Sequence, residues 1–262
     1  MLGWFLIVFL FLYTLFHLAY IFFQPKFIFR PEKLPLDFQF ICHAPLQEIN
    51  LQASDGVNLN AVLISSSQKK GTVIYLHGNR MHLQNYLPYT SKFTELDYSV
   101  FIPDYRGFGK SGGILTEHNF YEDALLAFDW LRQNFPHQKI IVYGRSLGTG
   151  AAAHIAAHRV CNQLILEAPF CNMYDVARWY GLLLPTGNYL QFELRTDLVL
   201  MKVKCPIAIF HGTKDRTIPI RSSKKLKHLL KPDDLYCEIK DGNHNNLEQF
   251  TMYHQELEQL LN

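Results

Sequence analysis

From Leu2 to Phe23 the chain is nearly all Leu, Phe, Ile, Val, Tyr and Ala, and no charged side chain occurs before Lys26. A helix of roughly 20 apolar residues crosses the hydrocarbon of a bilayer, so this run predicts a single-pass transmembrane anchor over 1–24. A cleavable signal would carry a basic start, a shorter apolar run and a small-residue cleavage site. Ala19-Tyr20-Ile21 does not fit such a site, and no Lys or Arg precedes the run. Pro25, Pro31 and Pro35 then mark a linker over 25–45.

Beyond the linker the period shortens. Leu46–Ala53 and Val57–Ile64 alternate, and Ser54-Asp55-Gly56 between them predicts an antiparallel hairpin. Short apolar strands follow at Thr72–Leu76, Ser99–Pro103, Ile140–Tyr143, Gln163–Glu167, Pro206–Phe210 and Leu235–Ile239. Helix-length segments lie between and after them, near Tyr86–Leu96, Glu117–Asn134, Leu147–Arg159, Arg221–Leu230 and Leu247–Leu261. In the second of these, Phe120, Ala124, Ala127, Phe128 and Leu131 keep one face apolar at helical spacing. Strand–helix alternation of this kind predicts an α/β domain over 46–262, a mainly parallel sheet with helices on both faces. One interval breaks the rhythm. Ala168–Cys205 holds no strand pattern and reads as a small lid insertion, about 170–196, over the sheet's top edge.

Charge changes this picture little. Twenty-five Lys and Arg against 23 Asp and Glu leave a net charge of +2, too small a field to draw nucleic acid. Lys224, Lys225 and Lys227 read as a solvated helix face. Five scattered cysteines without a C-x-x-C pair make neither a disulfide framework nor a zinc site. Lys26, Arg30 and Lys33 follow the anchor while nothing basic precedes it, which places the domain on the cytoplasmic side.

The candidate chemistry begins at Gly144-Arg145-Ser146-Leu147-Gly148. This is G-x-S-x-G set directly between a strand and an Ala-rich helix, the context in which a tight turn lifts a serine hydroxyl above a sheet. A serine needs a base to take its proton, and the base needs a carboxylate to hold its tautomer. Along such a chain the order is Ser, then acid, then His. The strand Pro206–Phe210 runs into His211-Gly212-Thr213-Lys214-Asp215, and the last strand into Lys240-Asp241-Gly242-Asn243-His244. Asp215 and His244 therefore follow the carboxyl ends of strands, at the edge where the elbow emerges. His211 suits a structural place beneath the acid's turn, Asp241 lies too close in the chain to His244, and His254 falls in the last helix. An oxyanion needs two N–H donors. Leu147 N–H at the helix start is one, and Asn79 N–H in the loop His77-Gly78-Asn79 is the other.

With Asp104-Tyr105-Arg106-Gly107-Phe108-Gly109-Lys110-Ser111-Gly112 added, these five motifs resemble the α/β-hydrolase superfamily. More narrowly they resemble its serine aminopeptidase/prolyl-oligopeptidase-like branch, which includes membrane-anchored α/β-hydrolase-domain proteins and depalmitoylases. Phe22-Phe23-Gln24-Pro25 and Phe29-Arg30-Pro31-Glu32 are similar to the anchored members. The resemblance implies the α/β-hydrolase fold, a Ser146–His244–Asp215 triad, and esterases, thioesterases and peptidases as the activities to weigh.

Three rival readings compete with this one. A P-loop would need Gly five residues before Gly109, where Asp104 stands. His154 and His158 stand at i, i+4 but have no acidic or sulfur ligand near them in sequence, and read as solvated helix positions. A catalytically inactive, membrane-tethered scaffold would be expected to have lost part of the triad. The expectation is therefore a serine hydrolase of carboxylic esters or thioesters, with aminopeptidase activity the alternative. It needs no cofactor or metal and takes a small-molecule or lipid-like acyl substrate. The aromatic and apolar residues Phe170, Trp179, Tyr180, Leu182, Leu183 and Leu184 suit an acyl chain at the mouth of the site, while Glu167, at a strand end, offers one carboxylate to a free amino terminus.

Overall fold

The computed structural model describes residues 2–42, 44–67, 70–180 and 190–262. Helix α1 spans Leu2–Ile28 and bends by 64° between Ala19 and Phe22. Among the described residues no single straight helix is long and apolar enough to cross a membrane; the bent pair Gly3–Ala19 and Phe22–Ile28 passes only when both parts are taken together. Its side chains are largely exposed up to Phe23, whereas Gln24 is buried and its Oε1 accepts from Gln191 N at 2.8 Å.

The segment read as a linker is laced to the domain. Strand β1 (Arg30–Pro31) pairs in parallel with β5 (Arg80–Met81), a small sheet of its own that the sequence pattern did not announce. The hairpin forms as expected, with β2 (Leu46–Gln52) against β3 (Asn58–Ile64) and Leu46 opposite Ile64. Strands β4 (Gly71–Leu76), β6 (Tyr98–Pro103), β7 (Lys139–Arg145), β8 (Gln163–Glu167), β9 (Ile207–Gly212) and β10 (Leu235–Ile239) complete an eight-stranded sheet. Its order is β10-β9-β8-β7-β4-β6-β3-β2, and it is parallel except at the β6–β3 and β3–β2 pairs.

Strand periodicity divides the core into two layers. Ile74, Leu76, Ile140 and Val142 face one layer; Val73, Tyr75, Ile141 and Tyr143 face the other. Helices α3 (Glu117–Asn134) and α4 (Gly148–His158) cover the first face, while α2 (Ser91–Thr94) and α8 (Thr251–Leu261) cover the second. Helix α3 begins at a capping box, in which Thr116 Oγ1 accepts from Asn119 N and Asn119 Oδ1 from Thr116 N. Its predicted apolar face is buried throughout, and Phe120 and Phe128 each contribute about 1.5–3 kcal/mol by that burial.

Three helix expectations are corrected. The run Tyr86–Leu96 is a 3-10 turn over Leu83–Thr90 followed by the single turn α2, because Pro88 has no N–H to continue an α-helical ladder. Arg221–Leu230 shortens to α7 (Ile220–Lys224) and a 3-10 turn, and Leu247–Leu261 is broken by extended backbone at Phe250. In the insertion, α5 (Met173–Trp179) and α6 (Thr196–Leu200) carry the described residues; Leu182, Leu183 and Leu184 lie outside them. Phe170 is sealed in the core near Gly150 and Leu194 and does not line a mouth. His154 is no solvated position either. Its ring stacks on Tyr121 at 4.2 Å, and burial pushes its pKa down to about 4. Cys161 and Cys205, distant in sequence, bring their Sγ atoms to 3.3 Å as free thiols.

Removing residues 1–23 should release a folded domain without detergent, because among the described residues no side chain of α1 before Gln24 joins either core layer. The full chain should need detergent. Carbonate extraction and thermal melts of the two proteins measure this; full-length protein recovered in a detergent-free supernatant overturns it.

Candidate active site

The elbow is built by one left-handed residue and two close approaches. Ser146 sits at φ +53°, a left-handed conformation that a residue with a side chain rarely adopts. A Cβ on Gly144 would stand 2.5 Å from Gly148 O and 2.7 Å from the Ala152 Cβ. One on Gly148 would stand 2.5 Å from Leu76 C and 2.7 Å from His77 O. Only glycine permits either approach. The second also presses the start of α4 onto the end of β4, so the loop carrying Asn79 starts beside the helix start carrying Leu147.

The three predicted side chains come together in one row. His244 Nε2 lies 2.9 Å from Ser146 Oγ, and His244 Nδ1 lies 2.7 Å from Asp215 Oδ2. The other Asp215 oxygen accepts from Thr217 N at 2.8 Å and Ile218 N at 2.9 Å. Burial alone would raise this carboxyl, but hydrogen bonds from His211 and His244 and the backbone hold it well below the usual carboxylate range. An ionised Asp215 keeps the proton of His244 on Nδ1 and leaves Nε2 free to accept from the serine. The neighbours fall outside this row. His211 Nε2 lies under the acid's turn, 2.8 Å from Ile218 O; Asp241 pairs with Lys214; His254 bonds Glu248 O.

Asn79 stands in a rigid setting. His77 is fully buried, with Nδ1 2.7 Å from Gly78 O and Nε2 3.1 Å from Asp104 Oδ1. The Gly78 carbonyl and the Asn79 N–H belong to one planar peptide unit, so a donor on Gly78 O orients that N–H as well. In the insertion, Trp179 Nε1 donates to Arg216 O and Tyr180 OH to Thr217 O, which ties the end of α5 to the turn after Asp215. These two rings are 39% and 60% exposed and supply aromatic surface beside the acid's loop.

Glu167 does not offer a carboxylate to an amino terminus. Being two residues beyond Ile165, it points into the α2/α8 layer, where Arg145 Nε meets Oε1 at 3.0 Å. Its Oε2 accepts from the hydroxyls of Tyr143 and Tyr253 and lies 3.4 Å from Lys92 Nζ. Burial would raise this carboxyl, but Lys92, Arg145 and the two tyrosines pull it down to about 2. The same two cations reach the loop around His244. Arg145 Nη2 donates to Asn245 Oδ1 at 3.2 Å, and Lys92 Nζ to Glu248 Oε1 at 2.7 Å. Sequence reasoning missed this group. Arg145 occupies a variable position of the elbow motif, and its partner is chosen by the β7–β8 register, which sets Arg145 opposite Glu167.

Glu167→Gln should therefore destabilise the protein at pH 7 by about 3–5 kcal/mol, since it leaves the buried Arg145 without a carboxylate and Lys92 with Glu248 alone. The folded-state pKa of Glu167 is depressed, so its contribution is present above the ordinary value of 4.5 and lost as pH falls towards about 2. Urea melts of both proteins at pH 7 and pH 3 should show the gap narrowing at the lower pH; a gap of constant size would contradict the assignment.

Comparison with known proteins agrees with this architecture. The family model for serine aminopeptidase, S33, matches residues 67–198. Lysophosphatidylserine lipase ABHD12 of Macaca fascicularis is 28% identical over 237 residues, covering 79% of this chain and 55% of its own. That of Danio rerio is 30% identical over 186 residues, covering 60% and 46%. The chain thus spans about half the length of these lipase relatives. An esterase of Pyrococcus furiosus superposes with a TM-score of 0.70 at 19% identity, covering 88% of this chain and 98% of its own. A monoacylglycerol lipase of Paleococcus ferrophilus gives 0.61 at 19% identity, covering 78% and 98%. At such identities these two likenesses speak for the fold alone. With the eight-stranded sheet, the elbow after β7 and a family match over half its length, the chain belongs to the serine aminopeptidase S33 family of α/β-hydrolases.

Proposed function

We propose that the protein is a membrane-tethered serine hydrolase that cleaves carboxylic ester or thioester bonds of lipid-like substrates through an acyl-enzyme. One observation carries this reading: Ser146 Oγ, His244 and Asp215 form a continuous hydrogen-bonded row above a strand–helix elbow. His244 Nε2 takes the hydroxyl proton as Ser146 Oγ bonds to the substrate's carbonyl carbon. The resulting oxyanion lies against the Asn79 and Leu147 N–H groups and the N-terminus of α4. As the tetrahedral species collapses, His244 returns the proton to the leaving alcohol or thiol. Water then repeats the sequence on the acyl-enzyme, releasing the carboxylic acid and freeing Ser146.

The lipid-like substrate is supported by relatives named as lysophosphatidylserine lipases and by the apolar α1, which holds the site beside a bilayer and raises its effective concentration towards acyl groups there. Lys26, Arg30 and Lys33 after α1 favour the cytoplasmic side for the domain. The family's description favours aminopeptidase activity as the second reading. Against it stands Glu167, buried beneath the sheet and already paired with Lys92 and Arg145.

Ser146→Ala should abolish turnover and fluorophosphonate labelling, with kcat falling roughly 10⁴–10⁶-fold, and His244→Ala should lose a similar amount. Asp215→Asn should cost up to about 10⁴ by releasing the imidazole tautomer. Wild-type labelling of Ser146→Ala would remove the nucleophile assignment. For substrate class, kcat/KM for acyl esters, acyl thioesters and aminoacyl amides is compared on one preparation. An amide cleaved as fast as the best ester would exclude the ester and thioester reading.

A further inference from the structure

Helix α1 does not hand the chain over to a free tether. Asn79 Nδ2 donates to Ile28 O at 2.5 Å, and Arg30 N donates to Asn79 O at 2.8 Å. One residue of the β4 loop is thus gripped by its side chain and its carbonyl, both by the residues at the exit of α1. The grip continues in both directions. Phe29 is only 4% exposed, with its ring centroid 4.6 Å from that of Phe192. Glu32 N donates to Met81 O at 3.0 Å, Gly109 N to Glu32 O at 2.9 Å, and Leu34 N to Gly109 O at 3.0 Å. Lys33 Nζ closes the far end on Ser111 O at 2.7 Å. Residues 28–34 therefore form a strap across the β4 loop and the Asp104–Gly112 turn.

We propose that this strap is a positioning element of the oxyanion site, with Asn79 as its contact residue. The proposal rests on the assignment of Asn79 N–H as an oxyanion donor. That N–H is bracketed. On its N-terminal side the Gly78–Asn79 peptide plane is oriented by His77 at Gly78 O; on its C-terminal side the Asn79 carbonyl and carboxamide are held by the strap. A strap that served stability alone could dock anywhere along the β4 loop. Two of this strap's bonds close on the one residue of that loop assigned to meet a developing charge, and a donor displaced by a few tenths of an ångström loses much of its effect there. The Asn79 carboxamide nitrogen is turned to Ile28 O, so in this proposal its side chain acts through the backbone.

The test uses the full-length protein in detergent with a chromogenic acyl ester. Asn79→Ala and the near-isosteric Asn79→Leu should each lower kcat about tenfold, less than the 10²–10³ lost when a donor is removed outright. KM should stay within about twofold, as expected when an interaction belongs to the transition state. The pH midpoint of kcat should not move, because the Ser146–His244–Asp215 row is untouched, and thermal midpoints should match wild type. Loosening the strap from its other side, by Phe29→Ala or Lys33→Ala, should give the same lowered kcat at constant KM. Combining Asn79→Ala with Phe29→Ala should cost little more than either alone, since both release the same contact. Unchanged kcat in both Asn79 variants, or multiplicative losses in the double variant, would overturn the strap proposal. If Phe29→Ala does not fold, the Lys33→Ala and Asn79→Ala pair decides by the same criterion. Turnover surviving in Ser146→Ala is a different failure, that of the site itself.

Discussion

A left-handed serine between a strand and a helix is a costly conformation, of order 1–3 kcal/mol, and it persists only where its surroundings over-determine it. Here Ser146 N donates to Glu167 O, Ser146 O accepts from both Thr149 N and Thr149 Oγ1, and two glycines let α4 settle on the end of β4. The rest of the site depends on that seating. It lifts the hydroxyl to meet His244, sets Leu147 N–H at a helix start, and seats the β4 loop beside it, which puts together the two donors proposed for an oxyanion.

Beneath the elbow lies a second constraint. Lys92, Arg145 and Glu167 are all nearly out of water, and buried charges are tolerated only when paired and fully hydrogen-bonded. Their partners are the hydroxyls of Tyr143 and Tyr253 and polar groups of the loop around His244. This couples β7, β8 and α2 to the segment that carries the imidazole. The acid's turn is held independently, by His211 and the Thr217 and Ile218 amides. Each member of the row thus rests on its own support.

The apolar start of the chain joins this framework instead of standing apart from it. Through Phe29 against Phe192 and Asn79 against Ile28, the exit of α1 meets the core, the insertion and the β4 loop at one corner.

What the sequence by itself determined is what short-range pattern can carry. Period-two strands, the period-3.6 face of α3 and the glycines around Ser146 and after β4 specify local conformation, and the fold class and the order Ser, Asp, His follow from them. Asp215 and His244 were legible because each directly follows a strand's carboxyl end, where topology leaves few places to go. What only the tertiary structure decided were the pairings that no neighbour in sequence predicts. The β7–β8 register sets Arg145 against Glu167 and turns a carboxylate proposed for substrate into a buried counter-ion. Pro88 and the packing around it shorten a helix that periodicity alone would extend. The strap from Ile28 to Leu34 carries no periodic signal, since apart from the Asn79 carboxamide it bonds to backbone atoms, and its partners lie some fifty to eighty positions away. Backbone donors and acceptors are the same in every residue, so a sequence records where strands and turns form, while which of them meet depends on the packed chain.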